Sequence, residues 1–129
     1  METLKELANQ GRTIIQTIHQ PNSDIFEMFD RLMLMAKGKI IYFNEARLAV
    51  DYFSGINFKC PELSNPSDYF MSIMSIETIE QDEIDAIGHH VSVQTVYAQK
   101  IEKFSENYQS SKLKNNESYL DPRALPISQ

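Results

Sequence analysis

Apolar positions recur along the chain at two different spacings, and the change from one to the other marks out the elements. Leu4, Leu7 and Ala8 fall at helical spacing, and Asn9-Gln10-Gly11 closes that helix, with Gly11 suited to the left-handed position just past a helix end. Thr13-Ile14-Ile15-Gln16-Thr17-Ile18-His19 is rich in β-branched residues with apolar groups on both faces. This is the pattern of a buried parallel strand, and Pro21 ends it. Asn22-Ser23-Asp24 is a helix-capping cluster that opens a short helix through Phe29. Arg31–Ala36 and Lys39–Phe43 read as two strands of a hairpin turned at Lys37-Gly38. Glu45–Phe53 reads as one helix burying Ala46, Ala49, Val50 and Phe53, ended by Gly55, with an extended Phe58-Lys59-Cys60-Pro61 beyond it. Asn65 caps a further helix that has Pro66 at its first position and Tyr69, Phe70, Ile73 and Met74 on its apolar face. Val93, Tyr97, Ile101, Phe104 and Tyr108 then form one stripe of an amphipathic helix.

Charge divides the chain near Ser75. Residues 1–75 carry nine acids and seven bases, and residues 76–129 carry nine acids and five bases among fewer apolar positions, for a net charge of -6 overall. The expected organisation is a compact part over 1–75, an acidic connector with an amphipathic helix over 76–109, and a disordered tail over 110–129. The acidity and the lack of a basic stripe argue against a nucleic-acid surface. No apolar run approaches the roughly 20 residues of a membrane-spanning helix. The start Met1-Glu2-Thr3-Leu4-Lys5-Glu6 lacks the features of a signal peptide. With Cys60 the single cysteine, no intrachain disulfide is expected.

The candidate chemistry centres on His19. It stands at the carboxyl end of the Thr13–Ile18 run, the edge at which α/β sheets place ligand chemistry. A histidine there donates a hydrogen bond to a phosphate or acts as a base. Other candidates are weaker. His89-His90 are adjacent, point apart in regular structure and lack a third ligand, so no metal site is expected. Asp24, Glu27 and Asp30 near His19 suggest a hydrolase cluster only on paper; Asp24 suits the helix start and the others suit solvent. Cys60, beside Pro61 with only Lys59 as a basic neighbour, lacks the surroundings of a reactive thiol. No Gly-x-x-x-x-Gly-Lys-Ser/Thr phosphate loop occurs.

The stretch from Gly11 through Thr17-Ile18-His19-Gln20-Pro21 to Asp30 resembles ABC transporters of the white/G subfamily, from just after the D-loop of their nucleotide-binding domain. Arg31–Phe43, Ala46–Phe53 and the Asn65-Pro66-Ser67-Asp68-Tyr69-Phe70 segment, similar to the family's Asn-Pro-Ala-Asp-Phe, continue the resemblance in order. Ile101-Glu102-Lys103-Phe104 with Tyr108 is similar to the connector toward the membrane domain.

The resemblance implies an α/β fold, the C-terminal fragment of a P-loop ATPase (ABC-type) parallel-sheet domain. It implies that His19 is the switch histidine contacting the γ-phosphate of ATP, and that the Q-loop, signature and Walker B strand precede Met1. Asn44 replaces the family's glycine after the hairpin and is expected to keep its left-handed turn. ATP and Mg²⁺ belong to the complete parent domain, and neither is expected on the chain alone. The implied partners are the N-terminal half of the ATPase domain, a second ATPase domain and a membrane domain. The implied location is the cytosolic face of a membrane, or the cytoplasm if the chain is expressed alone. The alternative is a non-enzymatic interaction module that pairs with an ATPase half or a partner helix through the Val93–Tyr108 stripe. A small hydrolase using His19 and Asp24 lacks a nucleophile.

Overall fold

A computed structural model of the chain describes residues 1–79, 84–86 and 91–111. The element order is α1 (Glu2–Asn9), α2 (Ser23–Glu27), β1 (Arg31–Ala36), β2 (Lys39–Glu45), a 3₁₀ turn (Ala46–Leu48), α3 (Ala49–Gly55), α4 (Pro66–Ile73), a second 3₁₀ turn (Ile76–Thr78) and α5 (Val93–Ser110). Among the described residues the sheet is two-stranded and antiparallel, β1 against β2. The expected parallel sheet is therefore corrected to a mixed arrangement of helices around one hairpin.

Local chemistry formed where local chemistry suffices. Lys37 and Gly38 both take positive φ, 48° and 73°. This double left-handed turn matches the twist of the flanking strands. Gly11, at φ 88°, occupies the expected position past α1. Asn22 caps α2 by accepting from the Ile25 amide at 2.9 Å. Asn65 caps α4 by accepting from the Ser67 amide at 3.2 Å, and Pro66 opens that helix, where an amide would go unpaired.

The Thr13–His19 strand did not form. The segment has no regular structure, and Ile15 is 92% exposed. β-branched residues favour a pleated backbone, but a strand exists only in a ladder, and no described strand lies beside this one. Asn44 also departs from expectation: it is a buried residue of β2, outside the left-handed region, and its side chain accepts from the Glu45 amide at 2.8 Å. The helix expected over Glu45–Phe53 is split into the 3₁₀ turn and α3, and the left-handed residue after it is Asn57 (φ 72°) rather than Gly55.

The core joins Phe26, Ile41, Tyr42, Ala49, Phe53, Phe70, Ile73 and Met74 to Ile101 and Phe104 of α5. A bulge between Leu34 and Met35 shifts the hairpin register, from Leu34 opposite Tyr42 to Met35 opposite Ile40. The extra residue breaks the two-residue alternation of β2. Ile41 and Tyr42 are consequently buried in succession, which a regular one-faced strand would not allow. Tyr108 reaches from α5 to donate to the Phe43 carbonyl at 2.7 Å, and Lys39 pairs with Glu102 at 2.7 Å. The stripe of α5 forms from Tyr97 onward, with Val96 joining it in place of Val93. Val96, Ile101, Phe104, Ser105 and Tyr108 are buried, whereas Val93 is exposed and Tyr97 half-buried beneath the Lys37 ammonium.

Burial sets an alkaline limit on this fold. It raises the Tyr42 phenol strongly, with Tyr108 and Glu45 adding to the effect, and it raises Tyr52 to about 12. The folded state therefore holds these protons more tightly than the unfolded state, whose phenols titrate near 10. Their contribution is complete below pH 10 and falls as pH rises through 12. Denaturant midpoints should slope down gently from about pH 9, as the Cys60 thiol ionises more readily in the unfolded chain, and steeply above 10, with phenolate absorbance at 295 nm from the buried rings lagging that of the exposed ones. Full phenolate formation by all tyrosines at pH 10.5 in a still-folded chain would refute this.

Candidate functional site

The site begins where the β-branched run ends. His19 and Gln20 form a bend, and Gln20 has φ 49°. Few non-glycine residues hold positive φ, and a residue before proline is restricted further. Pro21 follows, and then the Asn22 cap of α2. His19 is exposed, and no described residue bonds to its ring. An imidazole in this state has one nitrogen available to donate and the other to accept.

The backbone beside it is held from a distant part of the sequence. The Pro21 carbonyl accepts from Asn65 Nδ2 at 2.9 Å and from Ser67 Oγ at 2.7 Å. Phe26 of α2 meets Phe70 of α4 with ring centres 6.1 Å apart, so the two helices that flank the bend pack together. Sequence reading identified Asn65 as a cap and missed its second role, because the carbonyl it reaches lies 44 residues away.

The remaining candidates take structural places. Asp24 lies in the first turn of α2. Asp30 is largely in solvent, as expected, and there pairs with Lys5 at 2.5 Å, which joins α1 to the start of the hairpin. Burial pushes the Cys60 thiol up, away from thiolate. Among the described residues no three His, Cys, Asp or Glu side chains are placed to hold a metal, and His89-His90 lie outside those residues, as does the tail from 112 onward. A groove of about 580 Å³ between the end of α3 and α5, lined by Ile56, Phe58, Lys103 and Phe104, does not include His19.

Residues 19–116 match the family model described as ABC-2 type transporter. ABC transporter G family member 1 of Dictyostelium discoideum is 44% identical over 85 residues, 66% of this chain and 11% of that protein. Protein white of Drosophila melanogaster is 35% identical over 100 residues, 74% of this chain and 15% of that protein. ATP-binding cassette sub-family G member 8 of Rattus norvegicus is 31% identical over 130 residues, 100% of this chain and 18% of that protein. The chain thus spans at most 18% of the length of these relatives.

The matched family corrects the expected location. ABC-2 type transporter describes the membrane part of a transporter, so the segment goes with that part and not with a cytosolic ATPase domain or a free cytoplasmic protein. Among the described residues no helix is long and apolar enough to cross a membrane.

Proposed function

The chain belongs to the ABC-2 type transporter family, and from that premise we propose that it is the segment of a G-type ABC transporter that joins the ATP-hydrolysing part to the membrane part. In this reading residues 1–75 form the side of the segment that meets the ATP-hydrolysing part, residues 76–109 lead toward the membrane helices, and the whole transporter exports lipids or other hydrophobic compounds. His19 contacts the γ-phosphate of ATP, whose Mg²⁺ and remaining phosphates are held by a phosphate loop and carboxylates supplied by the rest of the transporter. The partners are that phosphate-loop part, a second ATPase unit and the membrane helices.

The observation that carries the reading is the exposed His19 ring on a bend whose backbone is held by the Asn65-Pro66-Ser67 segment. A ring without a partner among the described residues suits a residue that meets a ligand. Relatives named as ATP-binding cassette or G family transporters share the segment. The interaction-module alternative has lost its surface, because Ile101, Phe104 and Tyr108 of α5 are committed to the core.

Phosphoryl transfer requires loop, metal and base acting together. The purified chain should accordingly release no heat on titration with ATP and Mg²⁺ and should turn over no ATP. Micromolar, magnesium-dependent ATP binding by the chain alone would overturn the assignment of the phosphate loop to another part of the transporter.

A further inference from the structure

We infer that Asn65 and Ser67 are positioning residues for His19: by gripping the Pro21 carbonyl, they fix the bend that carries the imidazole. The inference rests on the reading of His19 as the phosphate contact. Both lone pairs of the Pro21 carbonyl are occupied, by Asn65 Nδ2 at 2.9 Å and Ser67 Oγ at 2.7 Å. The grip is itself braced. Asn65 Oδ1 accepts from the Ser67 amide at 3.2 Å and lies 3.1 Å from the Ser67 hydroxyl, so the two side chains are locked to one helix start.

From that carbonyl back to His19 there is little slack. The Pro21 ring fixes its own φ. Gln20, at φ 49° and directly before a proline, sits in a conformation that persists only where its surroundings impose it. Release the carbonyl and Gln20 is free to return to extended backbone, carrying the imidazole with it. A hydrogen bond to phosphate needs a donor within about 2.7–3.2 Å, and a displacement of about 1 Å at a reacting centre is enough to cost on the order of 100-fold in rate.

Two substitutions separate the grip from the cap. Asn65→Asp keeps an oxygen to cap α4, for which aspartate serves as well as asparagine, but it removes the donor and sets a carboxylate against the carbonyl. Ser67→Ala removes the second donor. In ¹⁵N relaxation of the full chain, the Gln20 amide order parameter should be near 0.8 in the parent, intermediate in Ser67→Ala and below about 0.6 in the double variant. The His19 ring signal should move toward that of an unstructured peptide, the Tyr69–Ile73 amides should stay rigid, and Ser67→Thr should restore the parent values. Unchanged Gln20 and His19 signals in the double variant, or α4 loosening with no selective effect on the bend, would overturn the inference. No nucleotide enters this measurement, so failure of the phosphate reading and failure of the positioning role are read separately.

Discussion

Replacing Phe53 by alanine should remove most of the folding stability of this chain. Phe53 is fully buried, with ring centres 4.8 Å from Phe70, 5.2 Å from Tyr52, 6.1 Å from Phe104 and 6.2 Å from Tyr42. It is therefore the point at which α3, α4, α5 and β2 meet. A buried Phe→Ala change costs about 3–5 kcal/mol, from lost transfer energy and the cavity left behind. Whole domains hold only about 5–15 kcal/mol, and a small one sits at the low end. The thermal midpoint should fall by about 12 °C at the least. Leu63→Ala is the control, since Leu63 is fully exposed and its loss should not register. A Phe53→Ala midpoint within 3 °C of the parent, followed by circular dichroism, would show that the aromatic cluster does not organise the fold.

The second large effect is on turnover. In the complete transporter, His19→Ala should lower the ATP hydrolysis rate by about 10²–10³-fold, the loss typical of one hydrogen-bond donor aimed at charge developing in a transition state. The loss should fall on kcat, with KM for ATP little changed, because an interaction strengthened in the transition state contributes chiefly to the chemical step. Expression should be unaffected: the ring is exposed and no described residue depends on it. Hydrolysis near the parent rate would remove His19 from the mechanism, and a variant that fails to fold would make it a packing residue.

What the sequence revealed was the chemistry completed within a few residues. The caps at Asn22 and Asn65, the proline opening α4 and the Lys37-Gly38 turn each depend on positions close by, and each formed. What it concealed depends on distant chain. Thr13–Ile18 has strand propensity, but a ladder is a property of two segments. The stripe of α5 was read with Val93 and without Val96 because periodicity gives a face, whereas β2 and α3 decide which turns of the helix meet it. The bulge at Ile41 left no sign in the apolar pattern, since Ile40-Ile41-Tyr42-Phe43 is apolar at every position. His19 was legible as a candidate by its place and its resemblance. The hold on Pro21 was not, because Asn65 and Ser67 lie 44 and 46 residues further along the chain.

The three clustered tyrosines have an optical consequence. The chain contains no tryptophan, so its intrinsic emission comes from tyrosine alone. Tyr42 donates to the Glu45 carbonyl at 2.6 Å and Tyr108 to the Phe43 carbonyl, and phenols bonded in this way are quenched in the excited state. Tyr52, 5.3 Å from Tyr42 and 6.3 Å from Tyr108 between ring centres, has a buried hydroxyl with no hydrogen-bond partner among the described residues. At such distances excitation passes readily among the rings, and within this cluster Tyr52 is the ring without such a bond. The junction of β2, α3 and α5 thus contains its own fluorophore, and opening this corner of the fold changes the emission near 305 nm on top of that of Tyr69, Tyr97 and Tyr119, without any attached label.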